Sequence, residues 1–455
     1  MADLEFYHAL KILPDVCIGC SHCMRACPTE ALRVVNGKAK LINNRCIDCG
    51  ECYRVCPTHA ITVQQDDFSK IFSYKHRIAL IPSVLLGQFS KEISHDDVAQ
   101  ALLSLGFTSI VEVEDSVEYL IGKLNSYIAS TEVKPVISSF CPAIVRLIQV
   151  KFPSLVENIA LIRPPLDLTA TYIKTSLLEQ GVPEKEIGIF YITPCAAKIV
   201  AVRHPEGEEK SEIDGIINMD FIYNRILREI KGKLPTGNEP KIISDLSPRS
   251  YSWALTNGEA SCIDGRCLAI DGIWNVIEFL EKVENDEIQD VDYLELRACD
   301  ESCAGGILAP GNRFLAAELI RKNASKVSVW SINKTNDKIV KYDACISGRT
   351  ALSPLSPRSM LKLDEDMAKA MLKMQRVNQL MCFLPGIDCG VCGAPSCIAL
   401  AEDVAQGSAS VSQCVFLQKI MEQNKLDPEH SFRIMKRIWG ENRFRKDCDK
   451  PIRNK

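Results

Sequence analysis

Histidine is scarce, at 7 in 455 residues, and no run of the chain reaches the roughly 18 consecutive apolar residues of a membrane span. Neither sign of charge dominates: 54 Lys and Arg face 58 Asp and Glu, a net charge of −4, which excludes nucleic-acid binding through a basic surface. The first residues, MADLEFYHAL, show no positive segment followed by an apolar one, so an export signal is not expected. No G-x-G-x-x-G follows a strand and no P-loop is present, so a flavin or nucleotide fingerprint is missing. What the sequence holds instead is cysteine, 21 residues of it. Without an export signal these thiols are expected to stay reduced in the cytoplasm, and that many point to metal rather than disulfides. With 46 % apolar and 25 % charged residues, the composition is that of a globular protein, and the length suggests about two to four domains.

The cysteines cluster at both ends. Residues 17–28 read CIGCSHCMRACP and residues 46–57 read CIDCGECYRVCP, an internal repeat of C-x2-C-x2-C-x3-C-P. Three thiolates at this spacing fold around one Fe–S cube while the fourth reaches the other cluster. Cys17, Cys20, Cys23 and Cys56 then hold one [4Fe–4S] cluster, and Cys46, Cys49, Cys52 and Cys27 the second. Zinc is the bland alternative, and eight cysteines in a doubled pattern speak against it. The segment resembles bacterial two-cluster ferredoxins. His22 lies inside the first motif, where every ligand position is filled, and reads as a surface residue.

At the other end, Cys389, Cys392, Cys397 and Cys414 form a C-x2-C-x4-C-x16-C pattern with Gly390, Gly393 and Pro395 in a tight loop. Residues 396–404 have the periodicity of a short helix. This segment resembles the small four-cysteine Fe–S domain of several anaerobic redox and corrinoid proteins, although four cysteines alone also suit zinc. Cys382 reads as a spare thiol.

Between the ends the pattern is α/β. Strand-like runs (RIALIPS, PVISSF, IGIFYIT, YLELRA) alternate with helical ones (DDVAQALLSLG, LTATYIKTSLLEQG, DFIYNRILREI), with loops at HPEGEEKSE and LPTGNEPK. The expected organisation is a small α+β two-[4Fe–4S] ferredoxin domain over 1–72, an α/β domain over 73–360 and a mostly helical Fe–S domain over 361–455. Three of the strand-like runs end in cysteine: Cys141 before Pro142, Cys195 after Pro194, and Cys299 with Cys303 four residues on. Ligands in open α/β sheets bind beyond the carboxyl ends of strands, so these four cysteines can converge on one buried cluster.

Here the central region resembles the catalytic domain of [FeFe]-hydrogenases, whose motifs are T-S-C-C-P, M-P-C-x-x-K-x-x-E and E-x-M-x-C-x-x-x-C-x-x-G-G. The chain carries SSFCP at 138–142, TPCAAKIVA at 193–201 and ELRACDESCAGG at 295–306, the glycines one position early. The resemblance implies a [4Fe–4S] cube on Cys141, Cys195, Cys299 and Cys303. It implies that Cys303 also bridges to a di-iron subsite carrying CO, CN and a dithiolate amine, with the Lys198 ammonium on a cyanide. It further implies H2 and protons as substrates and dependence on di-iron maturation enzymes. Four positions depart from the motifs. The proton-donating cysteine is Phe140, the methionine beside the di-iron site is Thr193, and the Glu of the second motif is Ala201. The Met of the third motif is Arg297. Loss of acid–base help predicts slow turnover. Degenerate motifs with added Fe–S modules resemble the PAS-lacking sensory branch of the family, which implies a redox or signalling partner. The rival reading is an electron-transfer or cluster-carrying protein with only a cube in the centre. Asp300 and Glu301 read as a solvated loop, Cys262 and Cys267 as structural, and Cys345 and Cys448 have no partner pattern. Neither nucleic acid nor membrane is expected as a partner.

Overall fold

The computed structural model describes residues 7–207, 210–232, 246–327, 331–358, 363–364 and 366–423, with positions 433, 437 and 440. Cys448 and the loop at 234–241 lie outside the described residues. Two compact units result: Met1–Cys46, Glu51–Val63 and Arg358–Lys455 form the first, and Ile47–Gly50 with Gln64–Pro357 the second. The sequence divides the chain at 72 and 360. In the structure, most of the first segment joins the last in one unit, while 47–50 and 64–72 go with the second.

In the first unit, β1 (Leu10–Ile12) pairs antiparallel with β4 (Ile61–Val63), and β2 (Leu32–Val35) with β3 (Lys38–Leu41). The β2–β3 connection is Asn36–Gly37, both at positive φ (52° and 73°), the conformation a two-residue hairpin turn demands. The C-terminal segment adds the helices Met367–Met381 and Cys397–Ala405. Each starts on a capping side chain: Asp366 accepts from the amides of Ala368 and Lys369, and Ser396 Oγ from that of Ala399. Val377, Leu384, Leu400 and Val404 form a buried core of their own. This core sits on the ferredoxin part, where the Val34 amide donates to the Gly393 carbonyl at 2.9 Å. Two arginines complete the junction. Arg33 grips Asp403 with two nitrogens at 2.6 and 3.2 Å, and Arg45 meets Glu402 at 2.6 Å, all four side chains largely buried.

The second unit contains β5 (His76–Ile81), β6 (Ser109–Glu112), β7 (Val136–Ile137), β8 (Ile187–Thr193), β9 (Gly215–Asn218), β10 (Cys267–Ile270) and β11 (Tyr293–Leu296). They make two parallel sheets, ordered β6-β5-β8-β9 and β10-β11-β7. The helices His95–Ser104, Ala196–Arg203 and Ile273–Glu284 join β5 to β6, β8 to β9 and β10 to β11, as the parallel connections require. Every residue of β8 is buried, the signature of a strand covered on both faces. RIALIPS, IGIFYIT and YLELRA become β5, β8 and β11, whereas PVISSF yields only the two residues of β7. The chain leaves the ladder because Ser138 Oγ turns back to accept the Phe140 amide at 3.2 Å and itself donates to Glu259 at 2.7 Å.

Candidate metal centres

In the first unit, Cys17, Cys20, Cys23 and Cys56 line one cavity walled by Val34, Ala39, Ala60 and Ile61. This is the set that the cross-ligating spacing selects. Burial pushes the Cys23 thiol up to about 12, and the neighbouring Cys20, Cys17 and Cys56 add to the push. Four thiolates so crowded repel one another, and a cationic metal core is what lets all of them ionise. Cys17 Sγ accepts the Ala39 amide at 3.3 Å. Cys56 Sγ accepts the Ala60 amide at 3.3 Å beside Thr58, and Cys27 repeats that environment with Ala31 at 3.2 Å beside Thr29. Of the second expected set, Cys27, Cys46 and Cys52 belong to the first unit and Cys49 to the second. His22 is exposed.

Cys389, Cys392, Cys397 and Cys414 line another single cavity with Asp388 and Leu400. Asp388 accepts the Cys397 amide at 2.6 Å and so fixes the loop. Burial pushes the Cys392 thiol up to about 11, the Ala394 amide opposes this, and the other three cysteines reinforce it. Cys382 is exposed and donates to the Asn378 carbonyl, apart from the set.

The central cysteines come from both parallel sheets. Cys141 follows β7 and caps the helix Pro142–Lys151; Cys195 follows β8 and caps the helix Ala196–Arg203. A helix N-terminus favours a thiolate. Cys299 follows β11, and its carbonyl accepts the Ser302 amide at 3.0 Å. Cys303 lies in the tight turn Ser302–Gly305, entered through two left-handed residues, Glu301 and Ser302. Gly306 lets this turn meet the second motif: a Cβ there would stand 2.5 Å from the Pro194 carbonyl oxygen, which also accepts the Leu308 amide at 2.9 Å.

Cys195 lies within electrostatic reach of both Cys303 and Cys141. Burial pushes the Cys195 thiol up to about 12, Lys198 opposes this, and Cys303 and Cys141 add to it. Lys198 is buried and points its Nζ at Cys303 Sγ, 3.7 Å away. Burial alone lowers a lysine, yet Cys303, Tyr191, Cys195 and Glu114 hold this ammonium above its ordinary value. Thr193 is fully buried and its hydroxyl is spent locally, donating to the Cys195 carbonyl at 2.9 Å and accepting the Cys195 amide at 3.3 Å. Phe140 is buried, with Lys198 Nζ 4.4 Å and the Arg297 guanidinium carbon 3.9 Å from its ring centre.

Two glutamates stand behind this site. Glu259 accepts from Ser138 Oγ (2.7 Å), Tyr293 Oη (2.7 Å) and Arg297 Nη2 (2.9 Å). Glu295 accepts the amides of Asn257, Glu259 and Ala260 and lies 3.3 Å from Arg297 Nε. Glu295 opens the third motif and was visible there; no local pattern marks Glu259. Asp300 and Glu301 pair instead with Arg313 and Arg321. The thiols of Cys262 and Cys267 donate to nearby carbonyls, and Cys345 lies 3.8 Å from Glu179.

Among the described residues, four buried polar atoms around the Cys303 turn have no partner: Tyr191 Oη, Trp253 Nε1, Arg297 Nη1 and Ser302 Oγ. Trp253 precedes Ala254, whose carbonyl accepts the Cys303 amide at 3.1 Å. An unmade buried donor costs about 1–3 kcal/mol. Sulfur-rich, acceptor-bearing groups at the cysteines satisfy such donors, so the residues present fit an iron–sulfur cofactor.

The geometry defines an α/β protein built around cysteine-held metal. Residues 75–232 match the family model of the iron only hydrogenase large subunit, C-terminal domain; 9–57 match a 4Fe-4S dicluster domain and 384–416 an Fe-S cluster family. The first match contains Cys141, Cys195 and Lys198 and ends before Cys299 and Cys303. A ferredoxin from Pyrobaculum islandicum is 46 % identical over 43 residues, 9 % of this chain and 40 % of the ferredoxin. A variant of the [FeFe]-hydrogenase HydA1 from Chlamydomonas reinhardtii superposes with a TM-score of 0.48 at 14 % identity, covering 64 % of this chain and 98 % of its own. An [FeFe]-hydrogenase from a study of oxygen inactivation gives 0.46 at 15 %, covering 62 % and 94 %. Residues 75–232 are thus [FeFe]-hydrogenase-like, and they stand in one chain with an N-terminal 4Fe-4S dicluster module and a C-terminal Fe-S module. Among the described residues, no helix is long and apolar enough to cross a membrane.

Proposed function

We propose that the chain is an [FeFe]-hydrogenase-type oxidoreductase that interconverts H2 with protons and electrons slowly and serves as an H2 or redox sensor. The observation that carries this reading is the buried Lys198 ammonium 3.7 Å from Cys303 Sγ, among cysteines supplied by both sheets. A buried cation there has a purpose only beside a strongly polar or anionic group. Cys141, Cys195, Cys299 and Cys303 would hold a cube, and a di-iron group with CO, CN and a dithiolate amine bound beside Cys303 would supply the H2-splitting chemistry. The eight cysteines of the ferredoxin repeat would hold two further [4Fe–4S] clusters and Cys389, Cys392, Cys397 and Cys414 a third, which would supply electron transfer to a redox or signalling partner.

The chain's own residues set the rate. Lys198 holds and orients the polar ligands. Phe140 fills the place of the proton donor with a ring that carries no exchangeable proton, and the Thr193 hydroxyl is committed to the Cys195 backbone. Loss of such acid–base help typically costs 10²–10⁴-fold. Protein matured anaerobically and given D2 in H2O is expected to form HD slowly, and Cys303→Ser to form none. Phe140→Cys is expected to raise the rate by up to about 10²-fold. No HD from fully iron-loaded protein would overturn the reading in favour of an electron-transfer protein with a cube alone in the centre.

A further inference from the structure

Two of the motif departures, Phe140 and Arg297, lie far apart in sequence and meet in space. The Arg297 guanidinium carbon is 3.9 Å from the Phe140 ring centre, and the arginine is 1 % exposed. Its fork is held from behind: Nη2 donates to Glu259 at 2.9 Å and Nε faces Glu295 at 3.3 Å. Glu295 is pinned in turn by three backbone amides, and Glu259 by Ser138 and Tyr293. A planar guanidinium fixed along one edge presents its remaining N–H groups in a set direction. One of those is the second N–H of Nη2, and the other two belong to Nη1, which is buried and has no partner among the described residues. Phe140 immediately precedes Cys141, and Arg297 stands two residues before Cys299, so both belong to the segments that deliver the central cysteines.

We propose that Arg297 is a positioning residue whose Nη1 donates a charge-assisted hydrogen bond to the sulfur of the cluster held by Cys141, Cys195, Cys299 and Cys303, raising that cluster's reduction potential. Phe140 and Arg297 act as one device. The ring walls off the place of a proton donor, and the guanidinium gives the site a permanent positive charge that cannot be passed on as a proton. Lys198 serves the Cys303 thiolate from the same ring, so two cations flank Phe140. Cluster potentials follow net charge and hydrogen bonds to sulfur. Arg297 therefore favours the reduced cube without feeding catalysis with protons.

This inference rests on the central cysteines holding a cube and is independent of the di-iron group, so it is tested on full-length protein produced without the maturation enzymes. Electron paramagnetic resonance during a redox titration reads each cluster, and Cys141→Ala identifies the central signal by its loss. Arg297→Met is expected to shift the midpoint of that signal alone to a more negative potential. Arg297→Lys, which keeps the charge, retains more of the wild-type value. Arg297→Met with Glu259→Gln removes one buried acid together with the cation; it keeps the test open if the single variant fails to fold, and it is expected to show a smaller negative shift, because the lost carboxylate offsets part of the lost cation. In wild-type protein grown with 15N-arginine, the central signal should carry a 15N coupling that Arg297→Lys removes. An unchanged midpoint in both methionine variants, or a 15N coupling that persists in Arg297→Lys, would overturn the proposal. Absence of a central cube signal in wild-type protein overturns it together with the reading on which it rests.

Discussion

Glu114 shows how a single buried carboxyl can tie stability to pH. It is 1 % exposed, and its two oxygens accept from the Ser83 amide at 2.9 Å and the Ser83 hydroxyl at 3.1 Å. Burial raises it from 4.5 to about 7, Ser83 and Lys198 oppose the rise, and Glu112 adds to it. A group whose folded value is raised contributes stability that is complete below its unfolded value, here pH 4.5, and fades as pH climbs to about 7. At about 1.4 kcal/mol per unit the loss approaches about 3 kcal/mol. Glu114→Gln is expected to raise the denaturation midpoint at pH 8 and to flatten this slope, which paired unfolding curves at pH 5 and pH 8 would detect. An unchanged slope in the variant would show that another group sets it. Glu114, like Glu259, was not legible in the sequence. The partners of a buried carboxyl are chosen by tertiary packing, and neither residue stands in a repeating pattern. Cys141, Cys195 and Lys198 were legible because strand-end position and motif spacing are local properties.

Among the elements, the helix Cys397–Ala405 depends on the ferredoxin segment for its place. Nothing in the sequence separates Arg33 and Arg45 from ordinary surface arginines, so the joining of the first and last segments into one unit could not be read there. In the structure both lie largely buried against Asp403 and Glu402. Removing one partner of a buried pair costs about 3–5 kcal/mol, because the other charge is left unpaired. Arg33→Ala is expected to loosen the helix and speed loss of iron from the Cys389–Cys414 cluster under chelator. Adding Asp403→Ala should recover part of the loss. Equal iron retention in wild type and Arg33→Ala would contradict this account of the junction. The strands fared differently. β8 matched its run residue for residue because a strand buried on both faces is continuously apolar, whereas β7 stopped short because the Ser138 hydroxyl competes for the backbone.

Across the whole molecule, the proposed reading sets the iron content: four cubes would give about sixteen irons per chain. Cys141→Ala should lose about four of these while the eight ferredoxin cysteines stay loaded. Loss spread over all clusters would mean that the central cube is needed for folding as well as for chemistry.

The central claim is that the centre is more than a cube, and an anaerobic infrared spectrum of protein produced with the di-iron maturation enzymes tests it most directly. The account predicts sharp bands of metal-bound CO and CN that shift under H2. A spectrum empty of those bands, from protein that still carries about sixteen irons, would contradict it.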